Sequence, residues 1–313
     1  MTRAFVFPGQ GSQAVGMGKA LAEAFTEARL VFEEIDDALG QKLSRLMFEG
    51  PESELVLTAN AQPALMAVSM AVIRVLEKDA RLALPQLASH VAGHSLGEYS
   101  ALAAAGALPV ADAARLLRLR GDAMQKAVPV GEGAMAALLG LDLPAAQEIA
   151  AAAAAGDVCD CANDNAPGQV VVSGHRKAVE RAVEIAKTKG AKRAILLPVS
   201  APFHCALMKP AAAAMAEALG RATIAPPRVP LVANVTASAV SDPEAIRDLL
   251  VQQVTGLVRW RESVSWMKSQ GVTTLVECGA GKVLSGLTRR IEAEMTGVAL
   301  NGPQDIEAFV KTI

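Results

Sequence analysis

Residues 91–99 read Val-Ala-Gly-His-Ser-Leu-Gly-Glu-Tyr, a Gly-x-Ser-x-Gly spacing between an apolar strand pattern and a helix pattern. That pattern presents the Ser95 hydroxyl as a nucleophile at a sharp strand-to-helix turn, and the chemistry it suits is formation of an acyl-serine. Gly93 and Gly97 allow the backbones to approach closely on either side of the serine. The helix is expected to open at Leu96, whose amide points where a carbonyl oxygen under attack gains negative charge, so Leu96 is one candidate donor of an oxyanion hole.

A serine hydroxyl at neutral pH needs an adjacent base, and the chain has four histidines. His90 precedes a strand end and His94 sits beside the nucleophile facing the other side of the turn, so both read as packing groups. His175 lies in a Ser-Gly-His-Arg turn that suits a solvated role. His204, in Val-Ser-Ala-Pro-Phe-His-Cys-Ala-Leu-Met, is the candidate base, with a satisfied core histidine as its ordinary alternative. Phe-Pro-Gly-Gln-Gly-Ser-Gln at 7–13 follows a strand and fits a relaxed dinucleotide fingerprint. That reading needs an acidic residue at the end of a second strand, whereas Glu33, Glu34, Asp36 and Asp37 fall in a helix pattern. The turn better supplies the Gln10 amide as a second oxyanion donor. Cys-Gly-Ala-Gly-Lys at 278–282 lacks the earlier glycine of a phosphate loop, since Val276 stands there. Arg120 is placed at a helix end with Met124 one turn on, either as a solvated cap or as a planar fork for a substrate carboxylate.

Around these residues the elements alternate. A strand at 4–7 leads to a helix carrying Leu21, Phe25, Ala28, Phe32, Ile35 and Leu39 and ending at Gly40. A second helix is expected to start at Pro63, a strand runs over 89–92, and helices follow the Ser95 turn and Pro109. Between 127 and 199 the pattern is strand 134–139, helix 144–155, strand 169–173, helix 177–189 and strand 193–199, a ferredoxin-like insertion. After it come helix 208–219, strand 231–235, helices from Pro243 and Trp260, strand 272–276, helix 282–291 and strand 298–300. The fold class is α/β: a large parallel-sheet, hydrolase-like catalytic domain from 1–126 and 200–313, interrupted by a small ferredoxin-like subdomain at 127–199.

The 313 residues, 52% of them hydrophobic, suffice for a substantial core. A net charge of −2 with two tryptophans, one tyrosine and seven phenylalanines argues against nucleic acid or anionic membrane as partner. Cys159, Cys161, Cys205 and Cys278 form no Cys-x-x-Cys pair and lack histidines at zinc spacing, so reduced thiols and no metal are expected. The start of the chain does not read as a signal peptide, and no uninterrupted apolar run reaches the roughly 18 residues needed to span a bilayer. A soluble, cytoplasmic monomer is the expectation.

Taken together, the motifs at 7–13, 93–102 (Gly-His-Ser-Leu-Gly-Glu-Tyr-Ser-Ala-Leu), 120–125 (Arg-Gly-Asp-Ala-Met-Gln), 163–174 (Asn-Asp-Asn-Ala-Pro-Gly-Gln-Val-Val-Val-Ser-Gly) and 202–208 (Pro-Phe-His-Cys-Ala-Leu-Met) are specific. The chain resembles the malonyl-CoA:acyl carrier protein transacylases of bacterial type II fatty acid synthesis along essentially its whole length. The resemblance implies Ser95 as nucleophile, His204 as base, the Gln10 and Leu96 amides as oxyanion hole, and Arg120 as partner of the malonyl carboxylate. Met124, Phe203 and Asn163 are further substrate contacts on that basis. A backbone carbonyl near Gln253 is implied in place of a triad carboxylate, with Asp142, Asp160 and Asp164 still formally available. Phe203 departs from the serine common before this histidine and is expected to narrow the pocket against an α-methyl group, a discrimination of about 1–3 kcal/mol. Malonyl-CoA is then a substrate, no cofactor is permanently bound, and the partner is an acidic acyl carrier protein. That partner is expected at Lys187, Lys189, Lys192 and Arg193 or at Arg289 and Arg290. A serine thioesterase or esterase, with water as acceptor, shares the elbow. Against it, the chain has no His-Gly-Gly-Gly loop and its base lies well before the C-terminus.

Overall fold

A computed structural model describes residues 2–313, with ten strands numbered here along the chain. Six of them, β1 (Arg3–Phe7), β2 (His90–Gly93), β7 (Leu231–Ala233), β8 (Ser238–Val240), β9 (Thr274–Cys278) and β10 (Thr296–Leu300), form one sheet in the order β10-β9-β1-β2-β7-β8. All neighbours in it are parallel except β7 and β8, which pair antiparallel. Helices cover both faces, which is why Ala4–Phe7 and Thr274–Cys278 are buried at every position rather than at alternate ones. The register aligns Phe7 with Gly93, so the turns that follow β1 and β2 lie side by side. β1 is flanked by β2 on one side and β9 on the other, and the two turns leave the carboxyl edge where the strand order reverses.

The other four strands, β3 (Gly133–Leu139), β4 (Cys159–Ala166), β5 (Gln169–His175) and β6 (Arg193–Leu196), form an antiparallel sheet in the order β4-β5-β3-β6. Helices Leu143–Ala154 and Arg176–Thr188 connect them and bury Ile149, Ala153, Val179 and Ala182 against Leu138, Val170 and Val172. This is β-α-β-β-α-β, one strand more than the sequence pattern predicts. β4 reads Cys-Asp-Cys-Ala-Asn-Asp-Asn-Ala, whose polar composition hides a strand held by pairing along β5 and by a bridge from Asn163 to Val258.

Other expectations shift for identifiable reasons. The first long helix is two, Lys19–Ala24 and Thr26–Leu39, because Phe25 adopts an extended backbone between them. Its end is as expected, with Gly40 in the left-handed conformation. The helix assigned a start at Pro63 spans Thr58–Lys78, with the proline inside it. Its first turn is secured instead by the Asn60 side chain, which donates to the Glu54 carbonyl at 2.9 Å, and by bonds to the Thr58 hydroxyl described below. By length and composition this helix is apolar enough to cross a membrane, yet 83% of its apolar window is buried within the protein, where it forms the central core helix. Arg120 sits within Val110–Ala127 rather than at a helix end, and it is buried.

Candidate active site

Ser95 occupies the left-handed region, with φ 53°, between β2 and the helix Gly97–Ala104. A Cβ on Gly93 would stand 1.8 Å from the Gly97 carbonyl carbon, and one on Gly97 would stand 2.3 Å from the Phe7 carbonyl oxygen, so only glycine fits at either position. The tight bend lifts the hydroxyl out of the turn, and a non-glycine residue held there is the kind of stored backbone strain that accompanies reactive positions. The loop after β1 packs on the same bend, since a Cβ on Gly9 would lie 2.8 Å from the His94 carbonyl oxygen. Among the described residues, neither the Gln10 amide nor the Leu96 amide donates a hydrogen bond within the protein.

His204 comes to the serine from 109 positions away, with Nε2 2.7 Å from the Ser95 hydroxyl. It too lies in the left-handed region, at φ 56°. Its Nδ1 stands 2.8 Å from the Gln253 carbonyl oxygen. A carbonyl only accepts, so Nδ1 carries the proton and Nε2 is the free acceptor facing the serine O–H. The three carboxylates open to this role are engaged elsewhere. Asp160 accepts from the Ala206 amide at 2.8 Å, Asp164 is bound by Arg261 at 2.8 Å, and Asp142 caps a helix by accepting from the Ala145 amide at 3.0 Å. Burial, and then the Arg120 charge, push the His204 imidazolium down to about 3, so the ring is neutral at physiological pH.

Arg120 is 1% exposed and its guanidinium faces the serine. Nη2 donates to the Ser95 hydroxyl oxygen at 3.1 Å and to Gln253 Oε1 at 2.8 Å, while Nη1 donates to Gln62 Oε1 at 2.8 Å. Its Cζ lies 5.9 Å from the centre of the Tyr99 ring, and Nε is buried with no partner. Among the described residues no carboxylate forms a direct ion pair with Arg120; Glu98 acts on its charge only through space, with the Gln253 side chain between them. Gln62 Nε2 donates in turn to the Thr58 hydroxyl at 3.0 Å and stands 3.8 Å from Met124 Sδ, and Thr58 donates to Gln10 Oε1 at 2.9 Å. Phe203 is buried immediately before the base.

Several polar residues essential to this arrangement carry no signal in the sequence reading. Asn234 Oδ1 accepts from the Ser95 amide at 2.8 Å, and its Nδ2 donates to the Gly93 carbonyl at 2.7 Å, so it ties both sides of the bend. Glu98, 1% exposed, accepts from the Asn234 amide at 2.6 Å and from Gln253 Nε2. Its burial pushes the carboxyl up to about 8, against the pull of those two donors and of Arg120. Asn163 is buried in β4 and its side chain joins none of these bonds. The Oδ1 of Asn165, two positions on, accepts from His94 Nε2 at 2.8 Å, keeping that ring away from the serine. His90 packs edge-on to Trp266, and His175 Nδ1 accepts from the Val158 amide at 2.9 Å.

The basic clusters lie outside the cleft. Lys189, Lys192 and Arg193 are exposed, as are Arg289 and Arg290, while Lys187 pairs with Glu184 at 2.6 Å. The two groups flank one end of the small sheet. Arg290 Nη1 donates to Gln169 Oε1 at 2.8 Å, the Gly140 amide to the Gly168 carbonyl at 2.8 Å, and the Lys192 amide to the Leu139 carbonyl at 2.8 Å.

Comparison with known proteins gives this geometry a family. Residues 4–295 match the acyl transferase domain model. Over 311 residues the chain is 47% identical to the malonyl CoA-acyl carrier protein transacylase of Bacillus subtilis, covering 99% of this chain and 96% of that one. The crystal structure of the acyl-carrier-protein-S-malonyltransferase from Bartonella henselae is 59% identical and superposes with a TM-score of 0.97, over 100% of this chain and 99% of that one. A second solved structure holds a type II polyketide synthase acyl carrier protein in complex with its malonyl-transacylase. The chain it matches there is 44% identical, with a TM-score of 0.96 and full coverage of both. With an elbow serine, a histidine oriented by a carbonyl and a buried arginine all in the matched span, the chain belongs to the acyl transferase family, among its malonyl CoA-acyl carrier protein transacylases.

Proposed function

We propose that this chain transfers a malonyl group from CoA to the phosphopantetheine thiol of an acyl carrier protein through a malonyl-serine. The observation that carries the reading is the pair of contacts at the Ser95 hydroxyl, His204 Nε2 at 2.7 Å and Arg120 Nη2 at 3.1 Å. A base and an unpaired cation converging on one nucleophile suit an acyl group that ends in a carboxylate.

The steps balance on the chain's own residues. Ser95 Oγ attacks the thioester carbonyl carbon as its proton passes to His204 Nε2, and the oxyanion that forms is received by the Gln10 and Leu96 amides. The tetrahedral intermediate collapses, the carbon–sulfur bond breaks, and the CoA thiolate takes the proton from His204. The carrier thiol then gives its proton to the same nitrogen and attacks the malonyl-serine, after which Ser95 recovers the proton. The Gln253 carbonyl holds the imidazole and stabilises its charged form, in place of a carboxylate. Arg120 receives the malonyl carboxylate, with Met124, Phe203 and Asn163 lining the acyl site, and Phe203 narrows that site against an α-methyl group.

On this reading the chemistry resides in a large domain of residues 1–126 and 200–313, and 127–199 form a smaller one whose end joins Arg289 and Arg290 in a single basic face for an acidic carrier protein. The enzyme works as a cytoplasmic monomer with no permanently bound cofactor or metal. A release assay tests the transfer directly: with malonyl-CoA and holo carrier protein, malonyl should appear on the carrier much faster than as free malonate. Free malonate as the main product would mean that water is the acceptor and would make the chain a thioesterase.

A further inference from the structure

We infer that Glu98 is a positioning residue that locks the Gln253 side-chain amide in one orientation and, through it, aims the Arg120 guanidinium at the acyl carboxylate. The inference rests on Arg120 receiving that carboxylate, as proposed above.

Glu98 lies in the first turn of the helix behind the nucleophile and is almost wholly buried, yet it makes no direct bond to Arg120. One oxygen accepts from the Asn234 amide and the other from Gln253 Nε2. Both oxygens therefore face donors, and a proton on either would point at one, so this bonding requires the carboxylate, even though burial outweighs those donors in raising the group to about 8. The Gln253 Nε2 also donates to the Ser95 carbonyl at 2.9 Å and approaches Asn234 Oδ1 at 3.3 Å. Three acceptors gathered around one NH2 group leave the amide a single orientation, with Oε1 turned to Arg120 Nη2 at 2.8 Å. Gln62 holds the other terminal nitrogen, so the fork is fixed from both sides.

The interposed amide has a chemical consequence. A carboxylate bonded directly to Arg120 would occupy the donors and neutralise the charge that the substrate needs. With Gln253 between them, Glu98 transmits orientation while the guanidinium keeps its charge and its unpartnered Nε for the incoming group.

Glu98→Gln tests this, because it preserves size but offers one acceptor in place of two. If its oxygen keeps the Asn234 amide, its NH2 confronts the NH2 of Gln253; turning Gln253 over relieves that conflict but sets an NH2 against Arg120. The kcat/KM for malonyl transfer should fall about a hundredfold, the scale of a misplaced binding group, while acetyl transfer is nearly unchanged. In a Gln253→Met background, adding Glu98→Gln should leave the malonyl-to-acetyl ratio where Gln253→Met put it. Circular dichroism melting checks that Glu98→Gln folds. If it does not, the double variant is compared with Gln253→Met, where the donor conflict is gone. Equal losses on both acyl groups, or a further fall of the ratio in the double variant, overturn the inference. Arg120→Ala separates the two claims: a selective malonyl loss there with none in Glu98→Gln overturns the positioning role alone. No selective loss in Arg120→Ala overturns the carboxylate reading and this inference with it.

Discussion

The carboxyl edge of the large sheet and the outer end of the small sheet handle charge in opposite ways. At the first, Arg120, Glu98 and His204 are buried, and their bonds join segments 25 to 155 residues apart, from Arg120–Ser95 to Gln253–Glu98. At the second, Lys189, Lys192, Arg193, Arg289 and Arg290 stand in solvent, and Arg290 reaches no more than the Gln169 amide. A buried ionised group has no water to replace a lost partner, whereas an exposed one exchanges partners cheaply. On the proposed function, recognition of the acyl group falls to the dry edge, and recognition of a large, changeable partner to the wet end.

That contrast can be broken by substitution, beginning with the base. His204→Ala removes the proton acceptor and should lower the rate of Ser95 acylation by about 10²–10⁴-fold, read by stopped-flow thiol release. The pH profile sharpens the same point. With the imidazole held down to about 3, wild-type acylation should show no fall centred near the ordinary histidine value of 6.5. A midpoint there would mean an imidazole open to water. Stability follows the same sign: the unfolded chain binds a proton at this histidine below about 6.5 and the folded chain does not until about 3. The folded state should therefore lose stability as pH falls through that window, in equilibrium denaturation at matched ionic strength.

Arg120→Ala comes next, with an expected loss of about 2–5 kcal/mol in malonyl transfer, because the substrate carboxylate is left buried and unpaired. Acetyl transfer, which brings no carboxylate, should be spared, and equal losses on the two would remove Arg120 from the acyl site. Reversing Lys192 and Arg193, or Arg289 and Arg290, should have the smallest effect. An exposed pair is worth up to about 1 kcal/mol, so a doubled reversal should raise the KM for carrier protein by about tenfold and leave that for malonyl-CoA unchanged. A change in the malonyl-CoA value would place the cations at the cleft instead.

The same divide explains what could be read from the chain. Ser95 was legible because its turn chemistry is local, confined to five residues whose glycines are sterically required. His204 could be chosen because few histidines compete. The strand β4 was not legible, since its polar residues are satisfied by pairing with β5 and by the 254–261 segment rather than by an apolar period. Pro63 looked like a helix start because its fixed backbone suits a first turn, while the anchors of the true first turn are side-chain bonds without a composition signal, Asn60 to the Glu54 carbonyl six residues back and Thr58 to Gln10 forty-eight residues back. Glu98 and Asn234 stayed silent for the same reason: a buried polar residue declares its role only through partners more than a hundred positions away. The two basic clusters, about a hundred positions apart in the chain, are brought to one end of the small sheet by contacts at the Gly168–Gln169 turn that the sequence does not announce.

The central claim is that one hydroxyl carries the acyl group between two thiols. Intact-protein mass spectrometry after brief exposure to malonyl-CoA measures it most directly. A single malonyl adduct should form, map to Ser95, vanish in Ser95→Ala and discharge when holo carrier protein is added. An adduct that persists in Ser95→Ala, or one that the carrier thiol cannot remove, would contradict the account.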